Sequence, residues 1–258
     1  MEPIRLLFMA VLPGIILILI MVYLDRYDRE PIRYMVRFFL WGAFSVLPVL
    51  GLEAILSILN PFRGSALEIV YFAFVVAGFS EEFIKRKFLL RSLWQAEFFD
   101  QRLDGIVFSV LIALGFATVE NISYVLFQYA QEPLVAIYRG VLSVPAHMLF
   151  AIAMGYEISL AKFAPTESDR NRHLFKSLWI PVFLHGMFDF ILMAQQWGLM
   201  IFFFPFLLYL WISNVRKLKR FYEDAKQIHQ FELENGGEEE PEIASGNDQE
   251  NHSENGEI

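Results

Sequence analysis

The chain contains no cysteine among its 258 residues. That absence excludes disulfides, zinc–thiolate sites and thiol nucleophiles together. Charge is also scarce: 19 % of residues are Asp, Glu, Lys or Arg, against roughly 25 % in a typical soluble domain. Much of it collects at one end, because the stretch from Gln227 onward holds ten acidic residues and no Lys or Arg. Of the formal −8, the remainder of the chain therefore carries +2. No soluble-type strand pattern and no internal repeat is evident, and nothing suggests nucleic-acid binding.

In place of charge there is apolar bulk. Hydrophobic residues make up 56 % of the chain and include 27 Phe, the composition of a polytopic membrane protein. Seven apolar stretches follow one another, each about long enough to span a bilayer. They run Leu6 to Leu24, Tyr34 to Leu59 with a kink expected at Pro48, Ala66 to Leu89, Gly105 to Phe127, Leu134 to Leu160 with a kink expected at Pro145, Leu178 to Ala194, and Leu199 to Val215. The first lacks a small-x-small cleavage site and reads as a retained helix. Beyond Tyr222 the composition turns to Glu, Asn, Gly, Ser and Gln, which reads as a disordered acidic tail over 223–258 behind a membrane domain over 1–222.

Loop charges alternate. Arg26, Arg29 and Arg33 follow the first stretch, Arg91 and Arg102 the third, Lys162, Arg170, Arg172 and Lys176 the fifth, and Arg216, Lys217, Lys219 and Arg220 the seventh. The intervening loops offer only Arg63. An all-α bundle of about seven spans, with its N-terminus outside and its C-terminus cytoplasmic, fits this alternation.

Ionisable side chains at bilayer depth are unfavourable and call for a reason. Some have local ones. Glu53 lies near the outer end of the second span, where a hydrogen bond or a cavity edge would accommodate it. Arg139 can snorkel to the outer interface, Glu157 lies near a cytoplasmic helix end, and His173, His229 and His252 receive no role. Others group. Glu81 and Glu82 end an apolar helix just before Lys85, Arg86 and Lys87, with Glu81 set to pair with Lys85 and Glu82 with Arg86 at i,i+4. A plain juxtamembrane charge cluster is the alternative there, although Phe83, Ile84, Phe88, Leu89 and Leu90 continue the apolar pattern beyond it. Glu120 shares a helical face with Ala113, Phe116 and Ala117 and is followed by Asn121. His147 lies on a stripe of small residues, Ser143, Ala151 and Gly155. His185 and Asp189 stand at i,i+4, so the carboxylate can fix the imidazole. Interhelical polar glue is the bland reading of each; together, in four consecutive spans, they read as a functional site.

Glu81-Glu82-x-x-Lys85, then Asp104-Gly105 leading into Gly115-Phe-Ala-Thr-Val-Glu-Asn121, then Pro145-Ala-His147, then His185-Gly-x-x-Asp189, resembles the PrsW family of bacterial intramembrane proteases. The match covers Gly78 to Phe190, and the early Asp25-Arg-Tyr-x-Arg-Glu-Pro31 loop fits too. The family is distantly akin to the type II CAAX prenyl proteases and their Abi relatives. Their Glu-Glu-x-x-x-Arg is also met by Glu81, Glu82 and Arg86, but their Phe-x-x-x-His register, Phe116 to Glu120 here, ends in Glu, which favours the PrsW branch. The resemblance implies a multi-pass protease of the bacterial cell membrane. Its activity would be the first, site-1 cut in a single-span membrane protein such as an anti-sigma factor.

Peptide hydrolysis needs an activated water, donors for the oxyanion and an acid for the leaving amine. The expected scheme is a cofactor-free glutamate protease. Glu81 or Glu82 acts as base, assisted by His147; His185, oriented by Asp189, and Asn121 stabilise the oxyanion; Glu120 positions a histidine or the water; and Lys85 supports the carboxylates. A zinc site built on His147, His185 and Glu120 is the alternative. From other classes come a proton-coupled carrier, since the same residue types make proton relays, and an inactive membrane scaffold.

Overall fold

The computed structural model describes residues 3–27, 29–128 and 139–235. Helical rods follow one another in chain order: α1 (Pro3–Leu24), α2 (Ile32–Ile58), α3, α4 (Arg102–Ser123), α5, α6 (Glu167–Ala194) and α7 (Trp197–Asn235). The α3 rod is composite: a short α-helix Leu67–Tyr71, a wide π-helical stretch Phe72–Phe79, and an α-helix Ser80–Leu93. A π turn, Tyr124–Gln128, extends α4, and another, Arg139–Ser143, opens α5 before its α-helix Val144–Lys162. No strand occurs among the described residues. The all-α polytopic bundle expected from composition is what forms.

Six of these helices, α1, α2 and α4 to α7, are long and apolar enough to cross a membrane. The third of the seven expected spans, α3, is not among them. Its rod is broken into segments, and Glu81, Glu82, Lys85, Arg86 and Lys87 occupy the second half.

Burial sorts the helices into centre and periphery. In α4, 83 % of the apolar stretch is buried inside the bundle, against 22 % in α2 and 17 % in α7. Every residue from Leu103 to Ala117 is buried, as befits a helix apolar on all sides. Glycines set how closely the others approach it. A Cβ on Gly42 of α2 would run into the Ile112 carbonyl of α4, and one on Gly115 of α4 into the Phe39 carbonyl. Gly105 and Gly155 make the same mutual approach between α4 and α5, where the Ser159 hydroxyl donates to the Arg102 carbonyl at 2.7 Å. Small residues take this part in membrane bundles because lipid is as apolar as the helix surface, so close packing must supply the association.

Caps place the helix ends. The Asp104 carboxylate accepts from the Gln101 amide at 2.8 Å, opening α4, and Thr166 Oγ1 accepts from the Asp169 amide at 3.1 Å, opening α6. At the far end α6 stops where Gln195 turns left-handed, with φ 48°. The π turn Arg139–Ser143 lies just before Pro145, and α2 is one continuous helix through Pro48. The start of the expected fifth span, 134–138, and the Arg139 side chain lie outside the described residues.

The first residues of the acidic tail expected from residue 223 belong to the described part of the chain. Helix α7 continues to Asn235, because its segment past Tyr222 still has packing to gain. Phe221 and Ala225 are buried, Tyr156 stacks on Phe221 at 4.6 Å, and Asp224 faces Arg102 at 3.9 Å. Residues 236–258 lie outside the described part.

Candidate active site

The π-helical stretch of α3 ends where the Glu-Glu pair begins. Wide i→i+5 turns are rare and tend to occur at functional sites. Here the stretch ends with Gly78 against α6: a Cβ on Gly78 would lie 3.1 Å from both the Gly186 amide nitrogen and the Val182 carbonyl oxygen. That approach puts Glu81 and Glu82, one turn on, beside His185. Ser80 seals the junction by donating to the Val76 and Ala77 carbonyls.

Four side chains from three helices then converge. Glu81 and Glu82 of α3, His147 of α5 and His185 of α6 each offer a ligand atom within 4.8 Å of the others, and all four are buried. His185 Nδ1 stands 2.9 Å from Glu82 Oε1 and 3.9 Å from Glu81 Oε2. Its Nε2 faces Asp189 Oδ2 at 3.3 Å. His147 repeats the arrangement: Nδ1 points inward, 3.4 Å from Lys85 Nζ, and Nε2 meets Glu120 Oε2 at 3.0 Å. Each imidazole thus turns Nδ1 to the centre and Nε2 to an outer carboxylate. Aromatic rings fix both: Phe150 stacks on His185 at 4.9 Å, and the two imidazoles cross edge to face at 5.2 Å.

Lys85 lies at the middle of the cluster and is buried with it. Its ammonium is 2.5 Å from Glu82 Oε1 and 3.4 Å from Glu81 Oε2, and it sits over the Phe116 ring at 4.7 Å. The expected pairing of Glu82 with Arg86 does not form. Arg86 turns the other way, donating to Ser177 Oγ at 2.8 Å and to the Leu174 carbonyl at 2.9 Å.

A cavity of about 690 Å³ adjoins the cluster. Glu81, Glu120, His147, His185 and Asp189 are in its wall, whereas Glu82 and Lys85 are not. It extends toward the end of the bundle where α4 passes into Ser123–Tyr124 and α6 stops at Gln195. At about 30 Å³ per water, it has room for some twenty molecules.

Two sequence expectations are corrected by these positions. Asn121 does not join the cluster: its amide donates to the Ala10 carbonyl at 2.8 Å, tying α4 to α1. Neighbouring Glu120 points to the cavity and Asn121 away from it because adjacent residues on a helix project about 100° apart. Glu120 backs His147 from outside, the position the cofactor-free scheme expects; it is the zinc alternative that changes, since the carboxylates converging with the two histidines are Glu81 and Glu82 instead of Glu120. Glu53 lines the cavity, the second of the two settings expected for it, and His173, given no role, meets buried Glu157 at 2.7 Å. An ionisable residue inside a span was the available signal for Glu53; nothing in the sequence pairs His173 with Glu157.

The donor set suits a divalent metal. Two imidazoles with one or two carboxylates are a catalytic zinc ligand set, and a carboxylate on the far nitrogen of each histidine is the usual support for such ligands.

Comparison with known proteins identifies the family. A family model described as "PrsW family intramembrane metalloprotease" matches residues 30–212, which include the whole cluster. The chain is 42 % identical to Protease PrsW of Clostridioides difficile over 205 residues, 79 % of this chain and 86 % of the relative. It is 35 % identical to Protease PrsW of Geobacillus kaustophilus, over 82 % and 89 % of the two chains. With Protease PrsW of Bacillus subtilis it shares 34 % over 82 % and 93 %. No solved structure matches. Apolar helices, a buried carboxylate–imidazole cluster and near-full-length relatives agree: the chain belongs to the PrsW family of intramembrane proteases, as a multi-pass bacterial membrane protein.

Proposed function

We propose that the chain makes a site-1 cut in a single-span membrane protein, an anti-sigma factor or similar substrate, near the outer face of the bilayer. The observation that carries this is the convergence of Glu81, Glu82, His147 and His185 beside a cavity large enough for water and a peptide segment. With the N-terminus outside, the Ser123 and Gln195 end of the bundle faces outward, and water enters the cavity from there.

Within this reading His147 and His185, with Glu82, hold a zinc-like ion. When bound, it supplies Lewis acidity for water and for the peptide carbonyl. Glu81 is the carboxylate of the pair that lines the cavity, and it takes the proton from the attacking water and hands it to the leaving amine. Asp189 and Glu120 hold the two imidazoles in orientation. Lys85 fixes Glu82 and offsets the negative charge of the pair.

A metal-free reading has its own support in the position of Lys85. The Lys85 ammonium, 2.5 Å from Glu82, already neutralises that carboxylate, and Glu81 then acts as base with His185 as oxyanion donor. One experiment separates the two: cleavage of a co-expressed single-span substrate by purified protein, with metal analysis, before and after a strong chelator. About one metal per chain, with activity lost on chelation and restored by zinc, supports the metal site. Full activity of metal-free protein, abolished by Glu81→Gln, supports the glutamate scheme. Cleavage unaffected by either treatment removes this cluster from the reaction. The carrier and scaffold readings are left with nothing that favours them.

A further inference from the structure

The cavity wall is one-sided in charge. Among its described residues are four carboxylates, Glu53, Glu81, Glu120 and Asp189, two imidazoles, and no Lys or Arg. Glu81, Glu120 and Asp189 each face a histidine of the cluster. Glu53 differs. It comes from α2, a helix that adds nothing to the cluster, and among the described residues no hydrogen bond or ion pair reaches its carboxylate. A carboxylate on a membrane-spanning helix is unfavourable unless a cation or donor meets it.

Its setting on α2 says what meets it. Val46, Val49, Leu50 and Glu53 all line the cavity, at i, i+3, i+4 and i+7, so they form one stripe along one face of the helix. The stripe is apolar over its first three positions and acidic at the fourth, near the end of α2 at Ile58. Val46 and Val49 pack into a buried cluster with Phe116, so a substrate lying along the stripe would set an apolar side chain against exposed Leu50 and a polar one against Glu53.

We propose that Glu53 is a specificity residue, whose carboxylate receives a Lys or Arg side chain of the substrate next to the scissile bond. This rests on the proteolytic reading above and adds a substrate class to it: segments whose apolar run ends in a basic residue. The pair forms where α2 nears its end, so the basic residue lies at the edge of the substrate's own span. Glu53 leaves the reacting atoms to the cluster and sets which segment is presented to them.

The test is a panel of single-span reporter proteins that differ at one position, scanned through the outer edge of the span, carrying Lys, Ala or Glu. Each is reconstituted in liposomes with wild-type enzyme, Glu53→Gln or Glu53→Lys, and initial cleavage rates are compared. At one position the wild type cleaves the Lys reporter about tenfold faster than the Ala reporter, the ratio expected for one charge-assisted hydrogen bond. Glu53→Gln removes the ratio, and Glu53→Lys moves the preference to the Glu reporter, a gain that a misfolded variant cannot produce. Equal wild-type rates for Lys and Ala at every position, or a preference that persists in both variants, overturns the proposal while leaving the protease reading intact. Wild-type cleavage of none of the reporters overturns both.

Discussion

Glu81 and Glu82 are neighbours in sequence with different surroundings. Glu82 is held by Lys85 at 2.5 Å and His185 at 2.9 Å and is closed off from the cavity, while Glu81 lines it. Their substitutions should therefore differ in kind. Glu81→Gln is expected to lower kcat by about 10² to 10⁴, the range for a lost general base, with bound metal retained. Glu82→Gln is expected to lower bound metal as well as activity. Measuring metal content and cleavage rate on the same preparations decides between these outcomes, and equal metal content in the two variants contradicts the division of roles. Asp189→Asn, which keeps the shape but weakens the support of His185, should cost about 10- to 100-fold in activity or metal affinity. At this scale the sequence was informative: spacing alone put His185 with Asp189 and Glu81 with Lys85. It failed for Asn121 and for Arg86, whose partners come from other helices, so that no local spacing points to them.

Elements position the residues, and the decisive one has no sequence signature. The π stretch Phe72–Phe79 is an apolar run that fits an α-helix equally well, so the register it gives to Glu81 and Glu82 was not legible. Deleting Val75 from it should turn the following helix by about 100°. Helix content by circular dichroism should be kept and cleavage lost; preserved cleavage would mean that the register does not matter. The glycine contacts were legible only as small residues on a stripe. Gly155→Leu is expected to separate α4 from α5 and lower thermal stability by about 1–3 kcal/mol, the usual penalty of overpacking, whereas Gly51→Ala, inside α2 with open space around it, should raise the melting temperature slightly, because Ala is the better helix former.

For the whole molecule, hydropathy sufficed to predict an all-α bundle but not which helix lies at its centre, since α2 and α4 have the same mean hydropathy of 1.9 and opposite burial. Glycine contacts on several sides of α4 make the difference. The absence of cysteine gives a clean test of sidedness, because any single introduced thiol is the only one. Ser168→Cys and Gln196→Cys lie at opposite ends of α6. A membrane-impermeant maleimide added to intact cells should label Gln196→Cys and spare Ser168→Cys; the reverse pattern would invert the proposed orientation.

Lys85 has one more consequence, which concerns how the protein is born. A ribosome delivers α3 to the membrane before α5 and α6 exist, so neither His147 nor His185 is yet there to meet the two glutamates. On its own helix, however, Lys85 is three residues from Glu82 and four from Glu81. The segment therefore enters the insertion machinery with its counter-charge built in: Lys85, with Arg86 and Lys87 behind it, follows the two carboxylates on the same helix.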